Sequence, residues 1–400
     1  MTRLDRAGCL AFVLVCGVCT PPPAHAQDAS VVDVPVDVNR RLPQVWILPG
    51  DAASVAAAES LAKVLAVAGL YEPTMGKPGQ TETGLSVLVK ASSAPAAGDV
   101  IVETIAVQPT TKQRTRRVGE LVAATRAVDL ARIADGVILD LTGRRSHLSG
   151  SILFTDLSSP GHRVVRASLA TGQDQRLVSP PEAFARGADF GPGGRVYYAM
   201  SRAGEPLKVY AEGDATPLAL PISEHVETIA ISPAGDRIAL VVGARSGSAV
   251  VQGPFPSGPL EVASTEELAV EPAYGPDGSL VYSAGPAKGP LRVVVAGKAA
   301  SPPGVWATSP SYCGPSTDQR VVYGSTDGVI RLSSRGATSV VAHGQSPVCS
   351  PDGRTVLFSR EGATPGIYAV GLEGVTPTRI HVGAAANLRW APGRPLPPAG

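Results

Sequence analysis

Residues 350–374 read SPDGRTVLFSREGATPGIYAVGLEG: a turn, a strand, a second turn, a second strand and a closing turn. The opening Ser350-Pro351-Asp352-Gly353 belongs to a series. Gly191-Pro192-Gly193-Gly194, Ser232-Pro233-Ala234-Gly235, Gly275-Pro276-Asp277-Gly278, a degenerate Gly314-Pro315-Ser316-Thr317 and a truncated Ala391-Pro392-Gly393 repeat it. The prolines are spaced 41, 43, 39, 36 and 41 residues apart. A period of about 40 residues with strands inside each unit is the signature of a β-propeller. Proline second and glycine fourth suit a type I turn.

An alternating strand follows each turn: Arg195–Ala199, Arg237–Val242, Ser279–Ser283, Arg320–Tyr323 and Thr355–Ser359. Further apolar stretches such as Leu207–Ala211, Leu291–Val295 and Ile367–Val370 supply third strands, and Leu218–Leu220 and Leu260–Val262 weaker fourth ones. Five units open with a turn. Ser151–Phe154, Arg163–Leu169 and Gln175–Val178 are three strands without one, and Asn387 to Trp390 is a lone innermost strand. These pieces complete each other, so the pattern predicts an all-β six-bladed β-propeller over 146–393. Its closing strand is 386–391, and 394–400 is a proline-rich tail. Ring closure removes exposed sheet edges. Aromatics are only 4% of the chain, so blade packing rests on Val, Leu, Ile and Ala.

Residues 1–26 have the form of a secretory signal: Arg3 and Arg6, an apolar Leu10–Val18, and Ala24-His25-Ala26 as cleavage site. Cys9, Cys16 and Cys19 lie here, but none sits in a lipobox context, so ordinary cleavage is expected. Without Arg3, Arg6 and Asp5 the 35 basic and 34 acidic residues become 33 of each, a net charge of zero. That balance makes no electrostatic case for nucleic acid or anionic lipid. Cys313 and Cys349 remain, at like places in neighbouring repeats. Such positions in adjacent blades are usually too far apart for a disulfide, so buried thiols are expected.

Residues 27–145 have another texture. Val31–Val38, Gln44–Leu48, Leu85–Lys90 and Val100–Val107 read as strands. A helix capped by Asp51 runs to about Ala68 with Val55, Ala58, Leu61 and Leu65 on one stripe, and Gly69 ends it. A second helix is expected from Val118 to Leu141, stopped by Gly143. Together they predict an α/β N-terminal domain with both helices on one face of its sheet.

Catalytic motifs are missing. There is no Gly-x-Ser-x-Gly elbow, no P-loop, no HExxH, and no metal-ligand spacing among His147, His162, His225, His343 and His381. Glu271 and Asn387 are the scattered polar candidates for a channel, too few for a converging carboxylate site. Asp277 and Asp352 occupy turn positions where aspartate caps its own backbone. No catalytic residue, metal or cofactor is assigned.

The order of parts resembles the TolB family. Arg41-Leu42-Pro43 before a strand, the helix ending Ala-Gly-Leu-Tyr at Tyr71, the junction Leu141-Thr142-Gly143-Arg144-Arg145 followed by Ser151–Phe154, and the Ser350–Gly374 repeat carry the likeness over about 31–393. The resemblance implies a non-enzymatic, monomeric adaptor of the Tol-Pal envelope system in the periplasm, supporting outer-membrane integrity, cell division and protein import. It implies docking of a Pal-like lipoprotein at the propeller mouth, on His225, Thr228, Val270 and Glu271. It also implies contact with a TolA-like inner-membrane protein through the N-terminal segment, on Val31, Val32, Asp33, Val34 and Val36. That segment can add as a strand to a partner sheet or complete its own domain's sheet. Three departures stand out. The stretch from Tyr71 to Val100 is short for the family, Ala234 replaces a turn aspartate, and Gly314–Thr317 has lost its last glycine. They leave room for a divergent paralogue. The competing readings are a propeller hydrolase or lyase and a solute-binding propeller acting on envelope or sugar ligands.

Overall fold

The computed structural model describes residues 33–34, 42–80, 84–94, 96, 98–123, 125–158, 161–172, 175–202, 205–244, 247–374 and 376–391. All lie in the second of the two units into which the chain divides, Val32–Gly400. The expected signal (1–26), Val31, Val32 and Val36, and the tail fall outside the described residues.

Between 44 and 142 a five-stranded sheet packs against two helices. The strands stand in the order Glu72–Met75, Gln44–Pro49, Ser86–Ser93, Val100–Gln108, Gln113–Leu121. The first three are parallel and the last two join as antiparallel hairpins. Asp51 caps the first helical turn by accepting from Ser54 N at 2.9 Å and Ser54 Oγ at 2.7 Å. Helix α1 (Val55–Val67) then buries Ala58, Leu61, Val64, Leu65 and Val67. Helix α2 (Arg126–Thr142) ends on Gly143 in the left-handed region, φ 70°.

The second helix thus starts later than its periodicity suggests. Val118 and Leu121 belong to the strand Gln113–Leu121, paired residue for residue with Val100–Gln108. The i, i+3 and i, i+7 spacing of Leu121, Ala124 and Val128 imitated a helical stripe. In the fold Val128 is exposed, and the buried stripe is Leu130, Ala131, Ala134, Val137, Ile138 and Leu141. Gly136 is required there: a Cβ would come 2.8 Å from Arg117 Cδ, whose guanidinium bonds Asp140 at 2.6 Å.

From Ser151 onward the chain forms antiparallel meanders. Their innermost strands are Phe184–Phe190, Val226–Ile231, Leu268–Tyr274, Ala307–Tyr312, Gln345–Cys349 and Ala385–Ala391. Each unit is named below by the first residue of its innermost strand, the last being the closing unit. In the closing unit Ala385–Ala391 pairs with Ser151–Asp156, which pairs with Arg163–Ser168, so the chain's end completes its beginning as expected. Successive innermost strands pack side by side, and the last packs on the first. Leu218–Leu220 is not a strand; only single bonds such as Leu218 N to Val209 O, 2.8 Å, hold it to its unit. The chain is a mostly-β, propeller-like fold.

Cys313 and Cys349 form a disulfide, against the expectation of free thiols. Innermost strands converge so closely that Ser311 Oγ accepts from Cys349 N at 3.2 Å across the unit boundary. That convergence brings the two Cα atoms to 5.2 Å, inside disulfide range.

The helix-bearing sheet shares one apolar core with the Gln345 and closing units, running from Leu61 and Ile138 through Leu148, Ile152 and Phe154 to Leu357 and Ile367. Asp135, 2% exposed, orders the connection: its carboxylate accepts from Leu148 N (2.7 Å), Ser149 N (3.0 Å) and Ser149 Oγ (2.6 Å). Gly69 is pressed on Gly371, where a Cβ would lie 2.1 Å from the backbone nitrogen. Thr355 Oγ1 donates to Ala68 O at 2.7 Å.

Candidate functional site

Every innermost strand breaks register near its start. The breaks fall at Arg186/Asp189, Val226/Thr228, Val270/Ala273, Thr308/Ser311, Gln345/Val348 and Ala386/Arg389. Five of the bulges hold one residue in the left-handed region: Gly187, Glu271, Ser309, Ser346 and Asn387, with φ of 58°, 53°, 49°, 49° and 52°. A bulge with a left-handed residue turns its side chain away from the ladder. Because the strands run the same way around the ring, the bulges gather at one end and the Pro-x-Gly turns at the other.

The bulge residues converge. Thr228, Glu271, Ser309, Ser346, Asn387 and Arg389 line a constriction with about 10 Å³ of free space, roughly one water. Its occupants tie units together. Glu271 accepts from Ser309 N at 2.6 Å and from Ser309 Oγ at 2.9 Å. Arg389 Nη2 donates to Pro272 O at 3.1 Å and to Ile229 O at 3.5 Å, and its Nε lies 3.7 Å from Asp189 Oδ2. Asp189 also accepts from Ile231 N at 2.9 Å. Burial pushes the Asp189 carboxyl above its usual range, and the Arg389 charge opposes that shift. One arginine of the closing strand therefore reaches three other units. Gly187 has no alternative, since a Cβ there would lie 2.7 Å from Thr228 Cα.

Of the residues expected at the mouth, Thr228 and Glu271 meet in this lining. Val270 is half-buried beside Glu271 and pairs with Ser283. His225 lies outside the lining, at the entry to the Val226 strand, where its Nδ1 accepts from Leu207 N at 3.1 Å. The bond commits Nδ1 as an acceptor. Ser309, Ser346 and Arg389 were missed, while Asn387, a channel candidate from its place on an innermost strand, lies in the lining. A sequence signal existed: counting five residues back from each turn proline lands on Gly187, Thr228, Glu271, Ser346 and Asn387. In the Ala307 unit the degenerate turn shifts the count by one.

Asp33 and Val34 form a two-residue strand. It pairs in parallel with the outer strand Ala337–His343, Asp33 opposite Thr338 and Val34 opposite Ser339. Among the described residues, Asp33–Val34 extends a propeller unit and not the five-stranded sheet of residues 44–121. Among the described residues no group of three or more His, Cys, Asp or Glu is placed to hold a metal, and no helix is long and apolar enough to cross a membrane.

No protein-family profile matches the chain. No curated protein matches it either. Among solved structures, TolB from Acinetobacter baumannii is similar with a TM-score of 0.69 at 14% identity, over 88% of this chain and 97% of that one. Hydrazine synthase from Kuenenia stuttgartiensis scores 0.48 at 11% identity, over 67% of this chain and 48% of that chain. An oligogalacturonate lyase from Vibrio parahaemolyticus scores 0.40 at 9%, over 75% and 87%. The latter two fall below 0.5 and carry no weight. The likeness to TolB spans both the helix-bearing sheet and the ring, and this chain has a TolB-like β-propeller fold.

Proposed function

We propose that this chain is a six-bladed propeller with an α/β N-terminal domain that serves as a non-enzymatic periplasmic adaptor of the Tol-Pal type. In this reading it docks a Pal-like lipoprotein on the bulge end of the ring and a TolA-like protein through the N-terminal segment. One observation carries it: the channel mouth is filled by the chain's own bonded side chains, Glu271 with Ser309 and Arg389 with Pro272 O. About 10 Å³ of free space at the mouth suits recognition by a surface more than enclosure of a ligand there. Two features support the setting. The Cys313–Cys349 bond fits an oxidising compartment. The Asp33–Val34 pairing fits a segment that adds to strand edges.

The test is recovery of a peptidoglycan-binding lipoprotein from solubilised envelopes. Wild type recovers it, and His225→Ala with Glu271→Ala loses at least tenfold. Circular dichroism of the variant guards against a folding loss, because both residues also bond backbone. Equal recovery by the variant sinks the site, and no recovery by wild type sinks the partner.

A further inference from the structure

The turn end of the ring carries a cleft of about 950 Å³ lined by residues of the Val226, Leu268 and Ala307 units. The outer strand of the Leu268 unit, Lys298–Ala299, is two residues long, against seven for Ala337–His343 next door. Pro302 and Pro303 follow shortly after and cannot donate to a ladder. Lys298–Ala299 is last in its sheet, so one edge has no partner strand. Ala300 N donates inward to Val293 O at 2.7 Å. Strand alternation therefore turns the Ala299 N–H outward, into the cleft.

The walls are basic. Arg237, Lys298 and Arg335 are exposed and line the cleft. Asp277 is the one acidic lining residue, and its carboxylate already accepts from Ser316 Oγ and from Ser279 N. The neighbouring unit shows how such an edge is used: Asp33–Val34, one acidic and one apolar residue, lies along Ala337–His343.

We propose that this cleft docks an extended acidic peptide segment of a partner protein. The segment adds to the Lys298–Ala299 edge through its backbone and sets carboxylates against Arg237, Lys298 and Arg335. An unpaired strand edge selects peptide over an acidic saccharide, because only a peptide returns both donor and acceptor at ladder spacing. The site is at the opposite end of the ring from the mouth and stands apart from the reading given to that mouth.

The test uses the full chain and a fluorescent, N-acetylated, C-amidated octapeptide alternating aspartate and valine, followed by anisotropy. Saturable binding is expected. Lys298→Glu with Arg335→Glu weakens it about 100-fold, two charge contacts at about tenfold each, and Ala299→Pro weakens it about tenfold by removing the outward donor. Lys63→Glu with Lys112→Glu, far along the chain from the cleft, leaves the affinity unchanged. If Ala299→Pro fails to fold, the charge-reversed pair decides alone. Absence of binding at millimolar peptide, equal binding by the charge-reversed pair, or tighter binding of an oligogalacturonate probe overturns the proposal.

Discussion

The two ends of each innermost strand are held by different chemistry. At the turn end the serine caps are local. Ser350 Oγ accepts from Arg354 N at 3.1 Å and Thr355 N at 3.0 Å, and Ser232 Oγ accepts from Asp236 N at 3.2 Å and Arg237 N at 3.1 Å. At the bulge end the partners come from elsewhere in the chain. Glu271 and Ser309 are 38 residues apart, Arg389 and Ile229 are 160, and Asn387 and Thr155 are 232. The turn serines shape single units, whereas contacts such as Glu271 with Ser309 and Arg389 with Ile229 bind units to each other, as the Cys313–Cys349 bond and the Ser316–Asp277 contact do at the turn end. Loss of a bulge contact should therefore loosen the ring, whereas loss of a turn serine should loosen one hairpin.

The largest expected effect comes from the covalent tie between neighbouring innermost strands. Replacing Cys313 and Cys349 together by serine releases a 36-residue loop in the unfolded chain and should cost about 4 kcal/mol in urea unfolding. A loss under about 1 kcal/mol would mean that inter-unit ties matter less than the comparison holds. Arg389→Ala comes next. It strands Asp189, whose side chain is only 15% exposed, and should cost about 3 kcal/mol by the same measurement. A pH series sharpens this, since Asp189 without its partner should take up a proton more readily.

Glu271→Ala leaves Ser309 N–H and Oγ without their acceptor, for about 2 kcal/mol. The turn-end counterpart Ser350→Ala should cost about 1 kcal/mol, half as much. Equal losses would erase the distinction between the ends. The smallest effect concerns pH. Burial holds His381 below its ordinary value near 6.5, against the opposing charge of Asp156, and burial lowers His147 likewise. The unfolded chain then binds more protons. Stability is complete above pH 6.5 and falls as pH drops through and below it. His381→Gln should flatten that slope between pH 7 and 5, and an unchanged slope would assign it to other groups.

Much of this fold was legible because its signals are local. A type I turn needs proline and glycine at set positions, so each Pro-x-Gly string marked the first turn of a unit. The Asp51 cap and the Gly143 stop were readable for the same reason. Val118–Leu121 misled because a short apolar spacing fits a helix and a strand alike, and only pairing with Val100–Gln108 decides between them. Thr228 and Glu271 were reached through the resemblance to the TolB family. Ser346 was open to the same count back from the turn proline, whereas Arg389 was missed because its partners Pro272 and Ile229 lie in other units.

The amino-acid sequence by itself determined the repeat, its period and the join of first strands to last, since turn chemistry and strand alternation act over a few residues. Tertiary structure alone decided that Cys313 meets Cys349, that Arg389 reaches Pro272 and Ile229, and that Asp33–Val34 lies on the Ala337–His343 edge. These contacts depend on how closely separate units converge. That distance is set by packing around the ring, which no local pattern encodes.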